Sequence, residues 1–210
     1  MKRLAAYGFA QTVDARIEAL PPEQYHERQR DAKRLIEELY PLSRLALSFT
    51  QPGLSVQVEA HEDSGRADGK IWLSGFLNDS FEVQVTFAGY GRQEALRSIL
   101  LVRQGCVPDA GPIKRERKTG EILAMGEAED IGGSITKLAV SICERIRAKV
   151  AKPYAPGTVL LVAFEDFRLR GRAWWESLYR EVENAGGVDR GPFSRVYLFN
   201  SYTNELQQLA

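Results

Sequence analysis

The sequence predicts an α/β fold, in which a mixed β-sheet of about five strands is flanked by helices on both faces. Three observations predict it: a helical segment comes first, consecutive strands joined by short turns follow, and strands then alternate with helices. One of the later strands, "TVLLVAFED" at 158–166, is apolar almost without interruption, which is typical of a strand covered on both faces. A meander that continues into βαβ units produces a mixed sheet of this kind.

Length and composition indicate a single domain of ordinary globular character. A chain of 210 residues suits one sizeable core, so we expect residues 1–210 to form one domain. Lys plus Arg and Asp plus Glu number 28 each, so the net charge of zero gives no argument for binding to nucleic acid or membrane. No stretch approaches the roughly 18 apolar residues that cross a bilayer. The two cysteines form no CxxC pair, which favours a reducing, cytoplasmic setting.

The first elements are a helical segment, a strand and a hairpin. Residues 21–49 form the predicted N-terminal helical segment, which we expect Pro41 to kink or divide. Its apolar residues recur at helical spacing and are Ala32, Leu35, Ile36, Leu39 and Leu42. "LSVQVEAH" at 54–61 predicts a strand, and residues 66–87 predict a β-hairpin. The second arm of this hairpin, "FEVQVTF", alternates apolar and polar residues, so we expect one face of it to be buried.

The second half of the chain predicts alternating helices and strands around one inserted hairpin. A helix at 92–105 precedes the inserted β-hairpin at 112–130. A helix at 132–154 then leads into the apolar strand, and a helix at 172–186 leads into a final strand at 193–200.

Two acidic residues, Asp68 in "ADG" and Glu82 in "EVQ", lie on the two arms of the predicted hairpin. Together with the helix before it, the later helix and the buried strand, this hairpin resembles the PD-(D/E)xK nuclease superfamily, which has the restriction-endonuclease-like fold. The resemblance implies a metal-dependent nuclease that hydrolyses DNA phosphodiester bonds, with Asp68 and Glu82 holding Mg²⁺ or Mn²⁺. Gln84 stands where the family usually has lysine, and it would orient the attacking water. Two carboxylates suffice for Mg²⁺, which takes oxygen ligands and keeps several waters.

Two further residues match looser features of the same superfamily. Lys149 is the candidate for the missing catalytic cation, because it follows Ile146 by three residues and Ile142 by seven and so shares their inward-facing stripe. The alternative is a side chain that reaches solvent near the C-terminus of its helix. Glu38 matches the helical acidic residue of many such nucleases, and the alternative is a solvated charge.

The register of the hairpin decides whether the two acids can share a metal. Asp68 faces Glu82 only if the hairpin is centred on Gly75. A turn at Asn78 and Asp79, which their residue types favour, would place Glu82 opposite Gly75 and leave Asp68 about 23 Å away along the strand. In that register Asp79 would be the only other carboxylate nearby in sequence.

Basic residues cluster in two places, and tryptophans accompany one of them. If both clusters lie beside Glu82 they form a rim that contacts phosphates, and otherwise they are ordinary solvated charges. The clusters are Lys114, Arg115, Arg117 and Lys118 in the inserted hairpin, and Arg168, Arg170 and Arg172 after the buried strand. Trp174 and Trp175 could stack on single-stranded nucleic acid, but we predict that they anchor their helix in the core.

Two functions remain open on these grounds. The first is a magnesium-dependent endodeoxyribonuclease with Asp68, Glu82, Gln84 and Lys149 at its active site. The second is a catalytically inactive nuclease fold that acts in DNA binding or protein–protein interaction. DNA is the expected partner of the enzyme, and the lack of a GxGxxG or GK[ST] loop gives no support for a nucleotide cofactor.

Overall fold

Seven strands form one mixed sheet, and two short strands form a separate hairpin, in the computed structural model of the chain. The structure describes residues 2–28, 31–62, 67–89, 92–108, 111–126, 131–167 and 169–210. The strands are β1 (Leu4–Ala5), β2 (Leu54–Ala60), β3 (Gly69–Gly75), β4 (Asp79–Phe87), β5 (Ile113–Arg115), β6 (Ile122–Ala124), β7 (Val159–Phe164), β8 (Arg195–Asn200) and β9 (Glu205–Gln208). The helices are α1 (Ala6–Glu18), α2 (Pro22–Glu27), α3 (Asp31–Arg34), a π-helical turn (Leu35–Leu39), α4 (Tyr40–Ser48), α5 (Arg92–Gln104), α6 (Ile131–Val150) and α7 (Arg172–Asn184).

The strand order of the large sheet is β1-β2-β3-β4-β7-β8-β9. Strands β2, β3 and β4 are antiparallel neighbours, whereas β4, β7 and β8 are parallel. The prediction of a mixed α/β sheet is confirmed, but the expected strand number of about five is too low. The additional strands are the edge strands β1 and β9, which are too short to show a hydrophobic period in the sequence.

Helices cover both faces of the large sheet. One face packs against α1, the π-helical turn and α4, and the other packs against α6 and α7. All six residues of β7 are buried, as expected for a strand covered on both sides. On β4 the alternating residues Phe81, Val83, Val85 and Phe87 face the first of these cores.

The N-terminal helical segment is divided at two places. Arg28 adopts a left-handed conformation with φ of 46° and ends α2. The π-helical turn then precedes Pro41, which lacks an N–H group and leaves the carbonyl of Glu37 without its usual helical donor. Pro41 therefore does not end the helix, because the wider turn absorbs the missing bond. The same turn carries Glu38, and such turns occur frequently at functional sites.

The β3–β4 pairing differs from both registers that the sequence suggested. Leu73 faces Asp79 and Lys70 faces Glu82, so the hairpin is centred on Phe76. The sequence suggested that either Asp68 or Gly75 faces Glu82, and both predictions are therefore wrong. The side chain of Asn78 closes the turn across to Gly75, accepting from its N–H at 3.3 Å and donating to its carbonyl at 3.4 Å. The observed pairing is thus shifted by two residues from the register in which Asp68 would face Glu82. Because the shift is even, the side chain of Glu82 stays on the same face of the sheet.

The inserted hairpin consists of β5 and β6 and has a small core of its own with α5. Its core residues are Leu96, Leu100, Ile113 and Ile122. The last residues of the predicted insertion, 127–130, lie outside the described part of the chain.

Candidate functional site

Asp68 leaves the strand ladder and inserts its carboxylate beside β4. Its backbone N–H donates to Val83 O at 2.9 Å, and its Oδ2 accepts the N–H of Val85 at 2.6 Å. The regular register would give that N–H to the carbonyl of Ala67, which instead accepts from Nδ1 of His61 at 2.9 Å. The carboxylate of Asp68 therefore replaces a backbone acceptor and is held rigidly against the strand that carries Glu82.

Gln84 contacts Asp68 directly. Its Nε2 donates to Asp68 Oδ2 and, at 2.8 Å, to the carbonyl of Val85, and its side chain is buried. The geometry brings two of the predicted site residues together. It also commits the amide nitrogen of Gln84 to protein acceptors, so in this arrangement Gln84 positions Asp68.

Glu82 lies two residues before Gln84 on the same face of β4. Its Oε1 is 3.8 Å from Nζ of Lys70, and its Oε2 is 3.6 Å from Nδ1 of His61. Oε2 is inaccessible to solvent and has no hydrogen-bond partner within the described part of the chain. A buried acceptor left unsatisfied in this way costs about 1–3 kcal/mol, so the atom is suited to a ligand that carries positive charge.

Three ionisable groups from distant segments interact around the end of β4. Burial raises the pKa of Asp68, and the Val85 N–H and Lys149 act in the opposite direction. Burial and the neighbouring charge of Asp68 raise the pKa of Glu38. Burial lowers the pKa of Lys149, against the attraction of Asp68 and Glu38. Lys149 therefore lies within electrostatic range of the two acids, and its side chain is partly buried.

A polar cleft of about 400 Å³ opens next to this cluster. Its lining residues are Glu27, Arg28, Lys33, Glu37, Glu38, Val85, Thr86, Phe87, Arg145 and Lys149. Four of these residues are basic, and they come from the N-terminal helical segment and from α6. Three others, Glu27, Glu37 and Glu38, are acidic, and Arg28 is paired with Glu37 and Glu165, so an anionic ligand in the cleft would be met chiefly by Lys33, Arg145 and Lys149.

A buried arginine, which sequence reasoning missed, forms one wall of the cleft. Arg28 pairs with Glu165 and lies 3.5 Å from Glu37, and its guanidinium is 4.7 Å from the centre of the Phe87 ring. Arg28 is also the residue in left-handed conformation that ends α2. The one sequence feature that indicates this part of the cleft is Glu165, the ion-pair partner of Arg28, because it directly follows a buried strand.

The residues that could hold a metal are Asp68 and Glu82. Among the described residues, no group of three or more His, Cys, Asp or Glu side chains is arranged to hold a metal ion. A site here would therefore rely on two protein carboxylates with water and substrate oxygens, which is an arrangement that Mg²⁺ accepts. The unsatisfied Oε2 of Glu82 is one acceptor for such an ion, whereas Oδ2 of Asp68 already accepts from Gln84 and from the N–H of Val85.

The remaining predicted surface residues lie at the periphery. The basic residues of the inserted hairpin are exposed, as are Arg170 and Arg172, whereas Arg168 lies outside the described residues. Trp175 is buried 5.9 Å from Phe164, which confirms its predicted place in the core. None of the helices in the described ranges has the length and apolar character needed to span a bilayer.

The chain was also compared with known proteins. No protein-family model, no curated protein and no solved structure matches it.

Proposed function

We propose that the protein is a metal-dependent nuclease that hydrolyses DNA phosphodiester bonds at Asp68, Glu82, Gln84 and Lys149. The observation that carries the proposal is the electrostatic interaction of Asp68, Glu38 and Lys149 beside the strand that bears Glu82 and Gln84, next to a cleft lined by four basic and three acidic side chains. Ionisable groups with perturbed pKa values cluster preferentially at functional sites.

The order of elements supports a restriction-endonuclease-like fold. Helix α4 is followed by the antiparallel strands β2, β3 and β4, and helix α6 then leads to β7, which is parallel to β4. This is the sequence of helix, hairpin, helix and buried strand on which the resemblance to PD-(D/E)xK nucleases rests.

Asp68 and Glu82 would hold Mg²⁺ or Mn²⁺. A bound Mg²⁺ would supply an activated water and stabilise the leaving oxygen of the phosphodiester. The carboxylate of Asp68 is fixed by Val85 and Gln84, so its position does not depend on a flexible side chain.

Lys149 and the cleft residues supply the remaining chemistry in this proposal. Burial lowers the pKa of Lys149, which eases transfer of a proton between its amine and the attacking water. Lys33 and Arg145 line the same cleft and can contact phosphate oxygens on either side of the scissile bond. Gln84 positions Asp68, and a water-orienting role for its amide remains a prediction.

A second candidate function is a nuclease fold that binds DNA or another protein without catalysis. Two observations favour it: the amide nitrogen of Gln84 is occupied by Asp68 and Val85, and no three-residue metal group occurs in the described ranges. The basic side chains of the cleft would then bind phosphates without hydrolysing them.

Nicking of supercoiled plasmid DNA distinguishes the two functions. The enzyme nicks DNA with Mg²⁺ or Mn²⁺, stops when EDTA is added, and loses about 100-fold or more of its activity on Glu82→Ala or Lys149→Met. Asp79→Ala is the matched control, because Asp79 is an exposed carboxylate on the same strand and its loss leaves nicking unchanged.

Two results would contradict the nuclease. Full nicking by Glu82→Ala shows that the activity belongs to a contaminant or to another site. No nicking by the wild-type chain, together with salt-sensitive DNA binding, supports the inactive module instead.

A further inference from the structure

Two aromatic rings stand in solvent beside an arginine, close to the cleft. Phe167 follows β7 and is 47% exposed, and Tyr202 follows β8 and is 59% exposed. Their ring centres are 6.1 Å apart at an angle of 63°. The guanidinium of Arg170 lies 5.8 Å from the Tyr202 ring centre, and its Nε donates to the carbonyl of Phe167 at 3.0 Å. Because the two rings contact each other and the guanidinium adjoins one of them, they form one continuous exposed aromatic surface instead of two isolated side chains.

A buried amide holds the two rings in place. Asn200 is fully buried, and its Nδ2 donates to the carbonyls of Asp166 at 2.7 Å and Leu169 at 3.3 Å. Its Oδ1 accepts the backbone N–H groups of Asp166 and Tyr202, each at 3.1 Å. One side chain thus joins the loop that carries Phe167 to the turn that carries Tyr202. The exposure of the rings therefore follows from the backbone positions of the two segments, which the hydrogen bonds of Asn200 fix.

The rings lie at the edge of the sheet toward which the cleft extends, whereas Glu82 lies further back along β4, level with the residue before Val159 at the start of β7. Strands β4, β7 and β8 are parallel, so their C-terminal ends meet at one edge. The cleft is lined by Val85, Thr86 and Phe87 at the end of β4. Glu165, which directly follows β7, pairs with Arg28 in the wall of that cleft. A strand of nucleic acid that leaves the cleft along this edge therefore meets the rings.

We propose that Phe167, Tyr202 and Arg170 form a stacking platform for unpaired bases of single-stranded DNA that leads into the cleft. This inference rests on the proposed function for the identity of the nucleic acid. Aromatic rings stack on any base, and arginine adds a cation for the ring or the phosphate. Bases within a duplex already stack on each other and do not present their faces. The chain has no net charge, so binding has to come from such local contacts.

The test is fluorescence anisotropy with a labelled oligothymidylate and with a labelled duplex of equal length, using the full chain in EDTA so that no hydrolysis occurs. The wild-type chain binds the single strand more tightly than the duplex. Tyr202→Ala raises the Kd for the single strand at least about fivefold and leaves duplex binding unchanged. Tyr202→Trp retains binding because it keeps a stacking ring. Tyr7→Ala is the matched control, since Tyr7 is 66% exposed on α1 and has no effect on binding.

Several outcomes overturn the platform: a Kd unchanged by Tyr202→Ala in a folded variant, tighter binding of the duplex, or no binding of the oligothymidylate. Thermal unfolding followed by circular dichroism checks that each variant is folded. Failure of the platform and failure of the nuclease are distinguishable. If the protein nicks DNA in a metal-dependent way and Tyr202→Ala binds the single strand as tightly as the wild type, only the stacking platform is refuted. If Tyr202→Ala weakens single-strand binding but the wild-type protein does not nick DNA, only the nuclease is refuted.

Discussion

At the scale of single residues, the surroundings of Asp68, Glu38 and Lys149 change the pKa of each side chain. Each is partly withdrawn from water, and withdrawal favours the neutral form of every ionisable group. The pKa values of the two acids are therefore raised and that of the lysine is lowered, so the uncharged form of each side chain is favoured. Shifts in these directions are common at functional sites, where burial and neighbouring charges act together.

The raised pKa of Glu38 predicts a pH-dependent effect of Glu38→Gln on stability. The charged carboxylate is disfavoured in the folded state by burial and by Asp68, and these outweigh Arg34 and Lys149. Because the folded pKa lies above the unfolded one, the contribution of Glu38 to stability is full below the unfolded pKa and is lost as pH rises through the folded pKa. Glutamine does not ionise and escapes this loss.

We therefore expect Glu38→Gln to raise the free energy of unfolding at pH 7, with the gain disappearing below about pH 4, where the carboxylate is protonated in both states. Urea unfolding at the two pH values measures the difference. Glu144→Gln serves as the control, because Glu144 is exposed on α6. A gain at pH 7 that persists unchanged at low pH would show that the charge of Glu38 is not its cause.

The β3–β4 hairpin is the element on which the site depends, and its turn explains why the register was mispredicted. Asn78 was expected to form the corner with Asp79, but its side chain bridges back to Gly75. Gly75 has a φ of 142°, and an added Cβ would lie 2.1 Å from the carbonyl oxygen of Gly53. The backbone of the turn therefore leaves room only for glycine here, and the position of this glycine helps to define the pairing of all three antiparallel strands.

Alanine substitutions at two glycines have opposite expected effects. Gly75→Ala destabilises the protein by about 1–3 kcal/mol, because it combines a strained φ with a backbone clash. Gly8→Ala stabilises it by about 0.5–1 kcal/mol, because Gly8 lies within α1 and an added Cβ meets nothing within 4 Å. Urea denaturation midpoints compare the two variants. Equal midpoints would contradict this account of the turn.

At the scale of the whole molecule, β7 connects the two cores. Its odd and even residues face opposite layers: Leu161 packs toward α1 and α4, and Leu160 packs toward α6 and α7. The strand therefore carries the packing of both helical layers, and it sits directly beside β4. The cleft at the end of β4 is supported by this central strand.

Leu161→Ala tests the role of the central strand. It removes fully buried methyl groups and is expected to cost about 2–5 kcal/mol, depending on how far the core collapses around the cavity. Leu123→Ala, in the exposed arm of the inserted hairpin, is expected to cost about 0.5 kcal/mol or less. Calorimetric unfolding measures both. Similar losses for the two variants would indicate that β7 is not the centre of a shared core.

Residue patterns predicted much of the fold and part of the site. The alternation of "FEVQVTF" and the apolar run of β7 are local properties, and the structure shows a half-buried strand and a fully buried strand. The edge strands β1 and β9 were not predicted, because they are defined by pairing with β2 and β8 and are too short to show a hydrophobic period.

By itself the sequence determined the order of most helices and strands between residues 21 and 200 and the apolar face of each, since these follow from spacing within one segment; helix α1 and the edge strands β1 and β9 were not predicted. The tertiary structure alone decided that Asp68 is hydrogen-bonded to Gln84, that Glu38 and Lys149 come within electrostatic range of Asp68, and that Phe167 stands beside Tyr202. Such contacts join segments far apart in the chain. They depend on strand register, on a side chain that closes a turn and on buried amides that tie loops together, and no local period encodes these interactions.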